Sequence, residues 1–116
     1  MPPEVAKYLE DVRQACVLLQ DFTRGKSFAD YGANALLRAG VEREFILVGE
    51  ALLQASKKES ALGQSITSLP KIIGFRNILV HGYAVIQNQT VWSVVENDLA
   101  LLKQEVEWLL KQAGPP

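Results

Sequence analysis

The octapeptide RNILVHGY, Arg76 to Tyr83, sets a guanidinium, an imidazole and a phenol inside an otherwise apolar stretch, and it carries the only histidine of the chain. Arg76 keeps its charge at any physiological pH and offers a planar fork of donors that matches phosphate oxygens. His81, with a reference pKa of about 6.5, can take or give a proton near neutrality. Asn77 stands one helical turn before His81 and can orient its ring or donate to phosphate. Tyr83 can hydrogen-bond phosphate or stack on a base. A group that grips phosphate beside one that moves a proton suits phosphodiester cleavage in RNA. The ribose 2′-hydroxyl is then the nucleophile, so no metal or other cofactor is required. The products are a 2′,3′-cyclic phosphate and a 5′-hydroxyl.

The same residues admit plainer readings. His81 can be a satisfied structural histidine, with Arg76 and Tyr83 in ion-pair and capping roles. The chain can be a non-catalytic module that binds RNA or nucleotide, or a helical subunit that only stabilises a partner protein.

The elements that must position these groups are helical. Val5, Tyr8, Leu9, Val12, Cys16, Leu19 and Phe22 recur at helical spacing and predict a first helix from about Pro3 to Asp21. Thr23 to Lys26, with Gly25, form a turn. Ser27, followed three residues later by Asp30, is a candidate N-cap for a long second helix to about Ser56. Gly32, Gly40 and Gly49 weaken that helix and mark a break near residue 32 or close helix approach. Its stripe is Val41, Phe45, Val48, Leu52 and Ala55, and Glu50 lies elsewhere in the same helix, free to pair with Arg76 across the bundle or with Arg43 on its own helix. Lys57 to Thr67 are polar and form a loop. A third helix starts at Leu69-Pro70, carries the octapeptide and ends at Gly82. Tyr83 to Ile86 are too short a strand-like stretch to establish a sheet. After a connection from Ala84 to Gln89, Asn88 or Thr90 caps a last helix running to about Gln112. Its stripe is Val91, Val95, Leu99, Leu102, Val106 and Leu109, and Gly114-Pro115-Pro116 cannot continue it. Residues 1–116 thus read as a single all-α domain, an up-down four-helix bundle.

On an ideal helix at ~100° per residue, Ile72, Phe75, Ile78 and Leu79 fall on one side, facing the core. Tyr83, Arg76, Asn77 and His81 fall along a polar arc on the other. Arg76 and His81 stand about 140° apart on that arc and converge poorly within one chain. A two-fold dimer would place two copies of the strip face to face, with Ile73 and Val80 at the interface.

Composition narrows the options. A chain of 116 residues with 48% hydrophobic and 22% charged residues can bury a real core. A net charge of −1 excludes a broad basic field for duplex binding, so RNA contact needs a local patch, for which Arg24, Lys26, Arg38, Arg43, Lys71 and Arg76 are candidates. The single cysteine, Cys16, falls in the first apolar stripe and reads as buried, and one Cys with one His cannot complete a zinc site. Trp92 and Trp108 read as core or interface residues rather than base-stacking platforms. No signal-like N-terminus and no membrane-length apolar run is present in the sequence, which points to the cytoplasm.

At these residues the chain resembles the HEPN superfamily, and within it the HepT-like toxins, whose mark is R-x-x-x-x-H-x-Y with a polar residue after the arginine. Arg76, Asn77, His81 and Tyr83 fill every position of that pattern. The GEA tripeptide Gly49–Ala51 looks like the family's second helix, and Trp92 falls where a tryptophan often follows the motif. The resemblance implies a HEPN-like four-helix bundle and a homodimer, alone or within a higher assembly, with the cleft at its interface. It implies metal-independent ribonuclease activity, with Arg76 and His81 catalytic and Asn77, Tyr83 and Glu50 in support. It also implies a partner, a minimal nucleotidyltransferase antitoxin that silences the toxin by adding AMP to Tyr83.

Overall fold

The first apolar stripe folds as expected. In the computed structural model, which describes residues 1–113, α1 spans Pro3–Thr23 and buries Val5, Leu9, Val12, Cys16 and Leu19. A proline in its first turn removes an N–H that had no helical partner. The helix stops where Gly25 takes a φ of 72°, a left-handed conformation open to glycine.

Ser27 then starts α2 (Phe28–Ala33) through a reciprocal capping box. The Asp30 amide donates to Ser27 Oγ at 3.1 Å, and the Ser27 amide donates to Asp30 Oδ2 at 2.9 Å. The expected long helix breaks at Asn34, two residues past Gly32. Asn34 is extended (φ −123°, ψ 100°), and its Oδ1 accepts from the Leu37 amide at 3.0 Å, capping a new helix, α3 (Ala35–Lys58). Asparagine does this because its side chain competes with the helical backbone. All five residues of the predicted stripe, Val41 to Ala55, are buried. α3 runs two residues beyond the expected end at Ser56, with Lys57 and Lys58 in its last turn, where cations face the negative end of the helix.

The polar connection contains a single turn, α4 (Leu62–Ser65). The Thr67 amide and hydroxyl both donate to Glu105, at 3.0 and 2.7 Å, tying this connection to the last helix. α5 covers Leu69–His81. Beyond it lie a 3₁₀ turn (Tyr83–Val85), α6 (Asn88–Asn97) and α7 (Leu99–Gln112).

Two expectations fail in this last part. The apolar period predicts one continuous final helix, but the chain is interrupted at Asp98 (φ −119°, ψ −29°). The apolar period hides the interruption because the bonds from the Asp98 amide to Val94 O and from the Leu102 amide to Asp98 O carry the helical pattern through it. Neither Asn88 nor Thr90 is the cap; that position belongs to Gln87, which makes no side-chain capping bond. The Gly114-Pro115-Pro116 stop lies outside the described residues.

α3 packs on both α1 and α5, while α7 lies on the other side of α1 and α6 adjoins α2 and α7. The fold is an all-helical, HEPN-like bundle, its four expected rods divided by the turns and breaks above. Trp92 is buried, its ring 5.4 Å from that of Tyr31. Trp108 is 57% exposed and takes no part in this core. Fully burying each large aliphatic of the core stabilises the fold by about 1.5–3 kcal/mol.

Candidate active site

α5 presents its apolar side to α3 through Ile72, Phe75 and Leu79, all buried. Phe75 meets Phe45 of α3 edge-on, with ring centroids 5.3 Å apart. Ile78, expected on the core side, is instead 46% exposed. α3 is the helix that packs most extensively on α5, with smaller contacts from α4 and the 3₁₀ turn, so the covered arc is narrower than an ideal wheel assumes. Ile73 and Val80 are half-buried.

Arg76 also departs from the wheel. It is not displayed freely on a polar arc, because its side chain lies in the α3–α5 seam and is only 20% exposed. There Nη2 stands 2.8 Å from Glu50 Oε2, and Nη1 donates to Asn77 Oδ1 at 2.9 Å. The open choice for Glu50 thus resolves toward Arg76. The approach of Nη2 to Oε2 brings opposite charges together without an aligned hydrogen bond. Arg76 Nε and Glu50 Oε2 are both buried and lack hydrogen-bond partners. Glu50 also accepts from Gln54 Nε2 at 3.0 Å through its other oxygen. Asn77 is therefore engaged with the arginine, not with the imidazole.

His81 is the last residue of α5 and is exposed. Among the described residues no hydrogen bond or ion pair joins it to Arg76. Gly82 ends the helix as expected, its amide donating to Ile78 O at 2.8 Å. Tyr83 therefore does not continue the helical arc. It sits on the 3₁₀ turn and is 77% exposed. One short segment thus holds a clamped guanidinium, an open imidazole and an open phenol.

The wider basic patch does not materialise from the other candidates. Arg24 pairs with Asp21 at 3.0 Å, Lys71 with Asp98 at 2.6 Å, and Arg38 Nη1 donates to Gly32 O at 2.6 Å. Of these candidates only Lys26 and Arg43 remain as exposed side chains without such an engagement among the described residues. Cys16 is fully buried, and burial pushes its thiol up to about 12, so it is no nucleophile at neutral pH. Among the described residues no group of three or more His, Cys, Asp and Glu side chains could hold a metal. No described helix is long and apolar enough to cross a membrane.

The family model described as "Ribonuclease HepT-like" matches residues 12–109. The chain is 29% identical over 104 residues to the "Probable ribonuclease HepT" of Thermococcus cleftensis, covering 90% of this chain and 94% of that one. It is 26% identical over 106 residues to a "Putative RNase" of Methanocaldococcus jannaschii, covering 90% and 94%. A "Putative RNase" of Caldanaerobacter subterraneus subsp. tengcongensis is 27% identical over 105 residues, covering 90% and 93%. No solved structure matches the chain.

Proposed function

The chain belongs to the HepT-like ribonuclease family, and from that premise we propose that it is a metal-independent endoribonuclease toxin working in a dimer-interface cleft, controlled by AMP addition at Tyr83. The observation that carries the reading is the clamped Arg76 on the same short segment as the exposed His81.

Arg76 binds the scissile phosphate. An incoming phosphate oxygen must share the guanidinium with Glu50 or displace it. The ribose 2′-oxygen attacks phosphorus and loses its proton to one imidazole. The bond from phosphorus to the 5′-oxygen breaks, and that oxygen takes a proton from an imidazolium. One chain supplies a single histidine, so a two-fold pair supplies the separate base and acid. Pairing also brings a second guanidinium to the cleft and offsets the divergence of Arg76 and His81. Exposed Ile78 and half-buried Ile73 and Val80 are apolar surface available to such an interface. The whole chain acts as one cytoplasmic domain in this reading.

Tyr83 is open enough to serve as an acceptor of modification. Its phenolic oxygen would attack the α-phosphate of ATP on a partner nucleotidyltransferase, losing its proton as pyrophosphate leaves. The added phosphate would compete for Arg76 and the nucleotide would fill the cleft.

The test is cleavage of defined RNA oligonucleotides by the purified protein in the presence of a chelator. Products ending in a 2′,3′-cyclic phosphate and a 5′-hydroxyl are expected. Tight RNA binding with no cleavage by the wild type would favour a binding module instead, and neither binding nor cleavage would favour a stabilising subunit.

A further inference from the structure

α3 carries a glycine in its middle, at Gly49, although glycine weakens a helix by about 1 kcal/mol relative to alanine. Its backbone is ordinary helix, so no left-handed conformation demands it. The demand is steric. A Cβ built on Gly49 would stand 2.2 Å from Arg76 Cβ, 2.7 Å from Arg76 Cγ and 3.4 Å from Ile72 O. These are the root of the arginine and the backbone of α5, which cannot swing aside as a flexible side-chain tip would. The other helical glycines are unlike it. A Cβ on Gly40 would meet only the Phe22 ring at 3.4 Å, and one on Gly74 would meet nothing within 4 Å.

The next residue, Glu50, contacts the far end of the same side chain. Adjacent positions on α3 therefore govern both ends of Arg76: Gly49 sets how deeply its root sits in the seam, and Glu50 meets its charge. We infer that Gly49 is a positioning residue for Arg76, its missing side chain fixing the placement from which the guanidinium reaches the phosphate. The inference rests on Arg76 being the phosphate-binding group, and it adds a residue whose chemistry is the absence of atoms. A methyl group here pushes α5 outward and carries the guanidinium away from Glu50.

The experiment compares the wild type with Gly49→Ala, Gly74→Ala, Arg76→Gly and the Gly49→Ala/Arg76→Gly double variant. Single-turnover cleavage of one RNA oligonucleotide and thermal unfolding are measured for each. Gly49→Ala is expected to cleave at least tenfold more slowly, while Gly74→Ala on α5 cleaves like the wild type. In the Arg76→Gly background the same alanine should bring little further loss of cleavage and little further fall in Tm, because the atoms it collides with are gone. A purely structural role would lower both backgrounds by the same factor, and that result overturns the inference. So does wild-type cleavage by Gly49→Ala. If Gly49→Ala does not fold, the double variant decides: folding as well as Arg76→Gly supports a collision with this side chain, and remaining unfolded overturns it. Wild-type cleavage by Arg76→Gly would refute Arg76 as the phosphate group, a separate result, while the Tm coupling would still report the collision.

Discussion

Nη2 of Arg76 on α5 stands 2.8 Å from Oε2 of Glu50 on α3, joining the two helices through the group proposed to hold phosphate. Glu50 is 43% exposed, so solvent screens the pair and it contributes at most about 1 kcal/mol to stability. Its value is orientation. Glu50→Gln keeps the shape and removes the charge. Cleavage is expected to fall roughly tenfold, equivalent to about 1.4 kcal/mol, while urea unfolding shifts by less than about 1 kcal/mol. A variant that unfolds readily yet cleaves normally would reverse that assignment, and paired kinetics and melts decide it.

His81 is exposed at the end of α5, so its removal should leave the fold intact. His81→Ala is expected to change stability by less than about 0.5 kcal/mol. Losing the only imidazole should slow cleavage by about 10² to 10⁴. Undiminished cleavage by the variant would expose a contaminating nuclease or assign the proton to another group.

Tyr83 projects from the 3₁₀ turn with most of its surface in solvent. Incubation with a partner nucleotidyltransferase and ATP should add the mass of one AMP per chain and suppress cleavage. Tyr83→Phe should take up no AMP and remain active in the presence of the transferase. Intact-mass spectrometry and the RNA assay read the two consequences separately.

That Arg76, Asn77 and His81 share one short helix, with Tyr83 just past its end, was legible because their spacing is local. What those side chains meet was less so. The clearance between Gly49 and Arg76 depends on two helices separated by a loop, and a glycine in a helical pattern does not announce its neighbour. Ile78 has a core-like address on an ideal wheel, yet the folded chain leaves it 46% exposed. Asn34 carried a visible signal, a side chain able to cap the helix after it. Asp98 carried none, because the apolar stripe from Val91 to Leu109 runs through it in phase. The tie to Lys71 that marks the place is tertiary.

That tie predicts unequal consequences for its two ends. The Asp98 side chain is 14% exposed and sits 2.6 Å from Lys71 Nζ. Lys71→Ala leaves a largely covered carboxylate without its cation and should cost about 1–3 kcal/mol. Asp98→Ala removes the carboxylate and places a strong helix former at the break, so its cost should be smaller. Denaturant unfolding of both single variants and the double gives the comparison; a larger loss for Asp98→Ala would mean that the interruption itself is stabilising.

Cys16 supplies a pH prediction. Burial raises its thiol from an ordinary value of 9.0 to about 12, with Lys103 pulling the other way and Glu107 adding to the rise. The unfolded chain therefore gives up this proton first as pH rises. The thiol's contribution to stability is fully present below pH 9.0 and is lost progressively as pH climbs toward 12. Its slope is at most about 1.4 kcal/mol per pH unit. The Tyr31 phenol, also raised by burial, titrates on the same alkaline side, so the wild-type slope alone does not isolate the thiol. Cys16→Ala does. Its unfolding free energy should fall less steeply between pH 8 and roughly pH 10.5 than that of the wild type. Alkylation gives the independent reading: the folded protein at neutral pH should resist a maleimide that labels the urea-unfolded chain within the same time. Rapid labelling of the folded chain would mean that the α1 core opens far more readily than its packing implies.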